Sequence, residues 1–391
     1  MCAWRDSNPQ PLVPKTSTLS VELQAPICCT IIPEMQTIDE QIEAIQEVLR
    51  KTPHHKATNG FIGLMRAKIA RLKDKDLESS HKGKSGGGVS FSVKKQGDAT
   101  VVLVGPPSAG KSTLINQLTN AESKVAPYAF TTVTVVPGML KYNEAYIQIL
   151  DIPGLIEGAK EGKGRGREIL SVARGADLLI IMTDVERVGL IDKMVAELTG
   201  AGIRINQKPP NVLVEKRPEG GLDIYSNIKQ EMDKESVKEI AREYGIKNAV
   251  ITIKEKLSFE RLFDSFSENR VYIPAIFVVN KVDEKPSPHF AKGMLGISAG
   301  NGSGIQNLID SIWKELKFVT VYLVKPDRSP DFSDPIVMKA EQTLNDVAVK
   351  IGSEFAESKK LVRIWGSGAK FPGQEVSLST EVTEGMQIRY I

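Results

Sequence analysis

Cysteine is nearly absent from this chain, and long apolar runs are missing altogether. The three cysteines, Cys2, Cys28 and Cys29, all stand before residue 30. The rest of the chain therefore cannot be stapled by disulfides, which fits a reducing cytosol. The four histidines, His54, His55, His81 and His289, have no cysteine beside them, so zinc-site spacing is lacking. No apolar run approaches the roughly 18 residues of a membrane span. Nor does one sign of charge dominate: 51 Lys and Arg against 48 Asp and Glu leave a net +3. What is present, 41% hydrophobic and 25% charged residues, is ordinary for a soluble globular protein. A length of 391 residues suggests two to four domains. The basic residues are unevenly placed: Arg50 to Lys84 holds ten Lys or Arg against three Asp or Glu.

The most informative segment is Gly105-Pro106-Pro107-Ser108-Ala109-Gly110-Lys111-Ser112, a G-x-x-x-x-G-K-[ST] run. An apolar stretch, Thr100 to Val104, precedes it, and a helix-like stretch from Ser112 through Thr113 to Leu118 follows. Such a strand, loop and helix let backbone N–H groups close around phosphate oxygens at a positive helix end. Lys111 is placed to reach the outer phosphates and Ser112 to hold Mg²⁺. A chance glycine-rich turn is the bland alternative. Further elements in the right order argue against it.

Asp151-Ile152-Pro153-Gly154 ends a second apolar strand, Tyr146 to Leu150. A carboxylate there can hold a Mg²⁺ water, and Gly154 can donate its N–H to a γ-phosphate oxygen. Alone, such a turn is usually structural. Between the two elements lies Phe130-Thr131-Thr132, a candidate switch. Thr132, with Thr131 in reserve, would meet Mg²⁺ only when the γ-phosphate is present. The alternative is an ordinary strand start, since the following residues have high β propensity. Asn280-Lys281-Val282-Asp283 follows a strand, Ala275 to Val279. An ionised Asp283 would accept from guanine N1–H and the 2-amino group, and adenine offers neither in that arrangement. An unpaired buried carboxylate is costly enough to discriminate by orders of magnitude. Ser298-Ala299 fits the loop that covers guanine O6, and only its position carries weight.

Together these residues resemble the translation-factor-related GTPases, and within them the Obg and DRG (developmentally regulated GTP-binding protein) branch, of archaeal type. The stretch from Asp151 to Arg167, with its repeated glycines and cations, is particularly DRG-like. The resemblance runs from about Met35 to Ile391. Val362-Arg363-Ile364-Trp365, the run Ala369 to Gly373 and the run Met386 to Ile391 look like a TGS domain. The resemblance implies a cytoplasmic GTPase that binds GTP or GDP with Mg²⁺ and acts with the ribosome or structured RNA. A regulatory protein partner is also expected, and neither DNA nor a membrane. In this branch an apolar residue, here Leu155, replaces the glutamine that orients the attacking water in many GTPases. Slow hydrolysis follows, raised by K⁺ or by a ribosomal partner. Relatives that use K⁺ usually have Asn where this chain has Ser108, which weakens the K⁺ expectation. Lys111, Thr132 and Gly154 are the catalytic candidates. Two classes of function remain, a GTP-hydrolysing switch and an assembly module in which GTP is mainly a structural ligand.

The expected fold is α/β, a doubly wound P-loop GTPase sheet over 97–317 with helices on both faces. Residues 1–34 are proline-rich and resemble a peptide read from a tRNA gene in the wrong frame or strand. Met35 is therefore the expected native start, the alternative being a genuine disordered tail, and a native mass that includes 1–34 would refute the first reading. Residues 35–85 read as a basic helical hairpin. Thr37 to Glu40 has capping-box form, Ile38, Ile42, Ile45 and Leu49 form one stripe, and Ile62, Met65, Ile69 and Leu72 form another. An RNA contact and a merely solvated face weigh equally there. Residues from about 204 to 270 exceed what the core needs and read as an inserted α/β subdomain. Residues 318–391 are expected to form the β-grasp (TGS) domain. Its Trp365 and Phe371 are expected as core aromatics rather than stacking platforms.

Overall fold

The computed structural model describes residues 37–53, 58–81, 96–119, 136–152, 165–285, 293–325 and 329–391. The expectations for residues 1–34, Phe130, Thr131, Thr132, Gly154 and Leu155 fall outside the described residues.

Two helices come first, α1 (Ile38–Lys51) and α2 (Asn59–His81). Thr37 caps α1 as its spacing predicts: Glu40 N donates to Thr37 Oγ1, and Thr37 N donates to Glu40 Oε2. The main sheet is built from β1 (Ala99–Val104), β2 (Val136–Tyr142), β3 (Ala145–Ile152), β4 (Leu178–Asp184), β10 (Ala275–Asn280) and β11 (Met294–Gly296). Its order is β11-β10-β4-β1-β3-β2. Every pairing is parallel except the β2–β3 hairpin, which turns at Asn143 and Glu144, both with positive φ.

The sequence of these strands explains why both faces are covered. In β4 every residue is buried, as expected of a parallel strand roofed on both sides. Side chains alternate between two cores. Val101, Leu103, Ile147, Ile149, Leu178, Ile180 and Met182 join one, with α3 (Lys111–Leu118) and α8 (Ile305–Glu315). Val102, Val104, Leu150, Ile152, Leu179 and Ile181 join the other, with α4 (Arg165–Arg174) and α5 (Leu190–Gly200).

Beyond this sheet stands a three-stranded one, ordered β6-β8-β7, from β6 (Val212–Lys216), β7 (Leu222–Ser226) and β8 (Ala249–Ile253). Helices α6 (Lys234–Glu243) and α7 (Phe259–Phe266) cover one face of it. Short strands β5 (Ile203–Ile205) and β9 (Val271–Ile273) pair in parallel at its base. Helix α2 packs on this unit. Ala67 lies in its apolar core, and a Cβ on Gly63 would stand 2.3 Å from the Phe259 ring. Asp74 of α2 and Asp264 of α7 are both buried and share Arg270, at 2.6 and 2.7 Å, while Arg204 grips Asp264 with two bonds of 2.6 Å. The basic stripe is thus partly committed to packing: Arg71 pairs with Glu243 at 3.1 Å and Arg66 with Glu260 at 3.5 Å.

The last sheet is ordered β13-β12-β16-β14-β15, from β12 (Phe318–Leu323), β13 (Pro335–Lys339), β14 (Leu361–Trp365), β15 (Gln374–Ser377) and β16 (Met386–Tyr390). First and last strands run parallel at its centre. Helix α9 (Leu344–Ile351) covers one face, and α10 (Ser353–Ser358) follows it. Phe318 and Val337 of this sheet join the first core of the main sheet, with Ala99 at the start of β1. There Lys339 pairs with Asp177 at 3.0 Å and Lys350 of α9 with Asp98 at 2.6 Å. Those aspartates also accept from the backbone, Asp177 from Thr100 N at 2.9 Å and Asp98 from Tyr146 N at 2.8 Å. The expectation that Trp365 and Phe371 are core aromatics needs correction. Trp365 is half-buried beneath the Arg389 guanidinium, and Phe371, in the turn between β14 and β15, is 60% exposed.

Candidate functional site

The carboxyl ends of β1, β3, β4 and β10 point the same way, and those sequence-predicted residues that are described gather there. Strand β1 ends at Val104 and the glycine-rich loop follows, closing onto Lys111 at the start of α3. Two glycines are required for close approach. A Cβ on Gly105 would sit 2.3 Å from Met182 O, and one on Gly110, whose φ is +88°, would sit 2.3 Å from Asn280 Nδ2. Ser108 holds φ 60° without being glycine, a left-handed conformation that L-residues resist by about 1–2 kcal/mol.

The loop's carbonyls have named donors. Lys111 Nζ donates to Gly105 O and Pro106 O, both at 3.1 Å. Asn280 Nδ2 donates to Ala109 O at 2.8 Å, and Leu114 N to Gly110 O at 2.9 Å. Arg187 Nη2 donates to Pro107 O at 3.0 Å. Sequence reasoning missed Arg187, because it belongs to no motif. It lies just after β4, where Asp184 Oδ1 and Oδ2 accept from its Nε at 3.2 and 3.0 Å. Burial alone would raise the Asp184 carboxyl, but the Arg187 hydrogen bonds and charge outweigh it and hold it below its usual range.

Asp151, the penultimate residue of β3, stands beside β1 in parallel register with Leu103. Its Oδ2 accepts from Ser112 Oγ at 3.3 Å, and Lys111 Nζ stands 3.9 Å from its Oδ1. Burial raises the Asp151 carboxyl despite Lys111 and Ser112. Oδ1 finds no hydrogen-bond partner among the described residues. A buried carboxylate with spare acceptor capacity beside a hydroxyl is a set of hard oxygen donors, and it fits Mg²⁺ that keeps several waters. Thr113 follows Ser112 in the first turn of α3.

Asn280 joins the phosphate end to the other predicted loop. It ends β10, is 2% exposed, and accepts Ala299 N at 2.9 Å through the same amide that holds Ala109. Ser298 and Ala299 are buried, and Ser298 N donates to Ser303 O. Val282 N donates to Ile297 O, tying the turn that carries Asp283 to the same loop. Lys281 adopts φ 61° at the start of that turn, and Asp283 is exposed on it. One amide side chain thus links three segments that lie far apart in sequence.

A phosphate-type loop, a carboxylate on the neighbouring strand and a polar amide bridging to a second loop, all at the carboxyl end of a mostly parallel sheet, define the P-loop GTPase class. The family described as MMR_HSR1, 50S ribosome-binding GTPase, matches residues 100–216, and the C-terminal region of that domain matches 219–318. The chain is 39% identical to a GTP-binding protein of Methanocaldococcus jannaschii, over 91% of this chain and 93% of the relative. It is 38% identical to developmentally-regulated GTP-binding protein 1 of Xenopus laevis, over 86% of this chain and 94% of the relative. Ribosome-interacting GTPase 1 of Saccharomyces cerevisiae is 36% identical, over 88% of this chain and 96% of the relative. The chain belongs to the family of developmentally regulated GTP-binding proteins. Among the described residues no helix is long and apolar enough to cross a membrane.

Proposed function

We propose that the protein binds GTP, hydrolyses it slowly, and uses the difference between GTP and GDP to switch its association with the ribosome or structured RNA in the cytoplasm. The observation that carries this reading is Asn280, which holds the phosphate loop at Ala109 and the Ser298-Ala299 loop at once. A nucleotide bridging those loops would have its base and phosphates positioned by one shared residue. When bound, GTP and Mg²⁺ supply the phosphoryl group and the charge that neutralises it. The chain's part is to grip and orient. The loop amides and Lys111 receive the phosphates, Ser112 and Asp151 provide the Mg²⁺ oxygens, and Asp283 selects guanine over adenine through paired donors. Thr132 and Gly154 are the proposed γ-phosphate sensors. With Leu155 in place of a water-orienting glutamine, turnover depends on help from K⁺ or a partner. Equal hydrolysis in K⁺ and Na⁺ would remove the cation from this scheme.

The partner class draws support from the yeast relative, whose name is that of a ribosome-interacting GTPase. In this reading the main sheet over 97–317 is the GTPase domain, 204–270 is inserted into it, 35–85 is a helical hairpin, and 318–391 is a TGS domain. On α2 the exposed Lys73 and Lys75 are candidates for RNA phosphates. Co-sedimentation with ribosomes in GDP and in a non-hydrolysable GTP analogue, across a salt series, is the test. A switch requires differential affinity between the two nucleotides. Equal affinity in both would instead make GTP a structural ligand of an assembly module. Calorimetry that finds ATP bound as tightly as GTP would overturn the guanine assignment.

A further inference from the structure

We infer that Arg187 is a positioning residue for the phosphate loop, a third clamp beside Lys111 and Asn280. The inference rests on the nucleotide-binding reading above. Three features carry it. First, Arg187 is the donor to Pro107 O, at 3.0 Å, in a loop whose other held carbonyls are served by Lys111, Asn280, Ala109 N and Leu114 N. Second, the guanidinium is aimed. Asp184, 5% exposed at the end of β4, takes Arg187 Nη2 at 2.5 Å as well as both Nε contacts. The turn behind it is stapled by Arg187 N on Asp184 Oδ1 at 3.1 Å and by Thr183 Oγ1 on Arg187 O at 3.1 Å. Third, the peptide it holds is the one that matters for strain. In a trans peptide the N–H points opposite to the C=O. Fixing Pro107 O toward Arg187 fixes Ser108 N–H away from it, at the residue that holds a left-handed φ of 60°.

Arg187 therefore does more than neutralise Asp184. It selects which way a phosphate-loop amide faces. Strand β4 lends it rigidity, because Asp184 pairs in register with Asn280 of β10, the residue that clamps Ala109. Two neighbouring strand ends thus hold two points of one loop.

The test compares GDP with guanosine, which lacks phosphates, by competition against a fluorescent GDP on the full-length protein with Mg²⁺. Arg187 is partly exposed, so Arg187→Ala should fold, and its melting temperature serves as control. The expected result is a loss of about tenfold in GDP affinity, the scale of one charged hydrogen bond, with guanosine affinity unchanged within about twofold. Asp184→Asn should give a smaller loss with the same phosphate selectivity, and should add nothing further in the Arg187→Ala background. Equal weakening of GDP and guanosine, unchanged GDP affinity, or full additivity of the two substitutions would each overturn the inference. A wild-type protein that binds neither ligand would overturn the nucleotide reading, and this one with it.

Discussion

Two buried aspartates, Asp264 and Asp151, are each 6% exposed and have opposite surroundings. Asp264 is surrounded by donors, with Arg204 forked onto it and Arg270 shared with Asp74. Asp74 is completed by Ser267 Oγ at 2.7 Å. Asp151 has Ser112 on one oxygen and no hydrogen-bond partner on the other among the described residues, and its carboxyl is raised by burial. A buried charge whose partners all come from the fold is architecture. A buried charge left short is where something else is meant to arrive.

The sharpest way to break this contrast is Arg270→Ala. It strips a cation from two buried carboxylates at once, and the expected loss is about 3–5 kcal/mol in urea unfolding. A loss under 1 kcal/mol would mean that water reaches the network. Asn280→Ala comes next. Ala109 O and Ala299 N each lose their partner, so stability should fall by about 1–3 kcal/mol. Guanine nucleotide binding should fall with it, as read by calorimetry. Asp151→Asn should behave unlike either. Without nucleotide its unfolding free energy should stay within about 1 kcal/mol of wild type, because a poorly paired buried charge is replaced by a neutral amide. The added thermal stability that Mg²⁺ and GDP give together should disappear. A large loss without nucleotide would place Asp151 with Asp264.

Asp184 offers a test in acid. Its carboxyl is depressed, so it adds stability above the ordinary Asp range near about 3.9 that is lost as pH falls through its lower folded value. Arg187→Ala removes the depression and should move the acid-unfolding midpoint to higher pH, as followed by circular dichroism. The smallest effect belongs to Lys350→Ala. Its pair with Asp98 is 43% exposed on the lysine side, and about 0–1 kcal/mol is expected.

Much of the fold was legible because its signals are local. β1, β3 and β4 read as short, nearly continuous apolar runs, the mark of strands covered on both faces, and the Thr37 cap follows from a spacing of three. The loop glycines were legible as a motif, and the structure adds why Gly110 cannot be anything larger. What stayed hidden is what distance in sequence conceals. Asp74 and Arg270 meet across 196 positions, and no periodicity marks either. Arg187 stands in an ordinary polar turn, and only the direction of the Pro107 carbonyl reveals its use. The basic stripe of α2 was ambiguous in sequence because a lysine facing solvent and an arginine facing Glu243 look alike until a partner helix is placed. Phe371 misled because aromatic bulk suggests a core, whereas its position in a turn decides its exposure.

The fastening of the C-terminal sheet has a mechanical consequence. Asp177 steadies the amide of Thr100, and Asp98 steadies that of Tyr146, while Lys339 of β13 and Lys350 of α9 hold the two acids. Thr100 lies near the start of β1, which leads into the glycine-rich loop, and Tyr146 near the start of β3, which carries Asp151 near its other end. Each strand is a buried rod of roughly 20–27 Å, at ~3.3 Å per residue, with no hinge along it. Whatever grasps the carboxyl-terminal sheet is thereby holding the blunt ends of two levers whose tips carry the proposed nucleotide site.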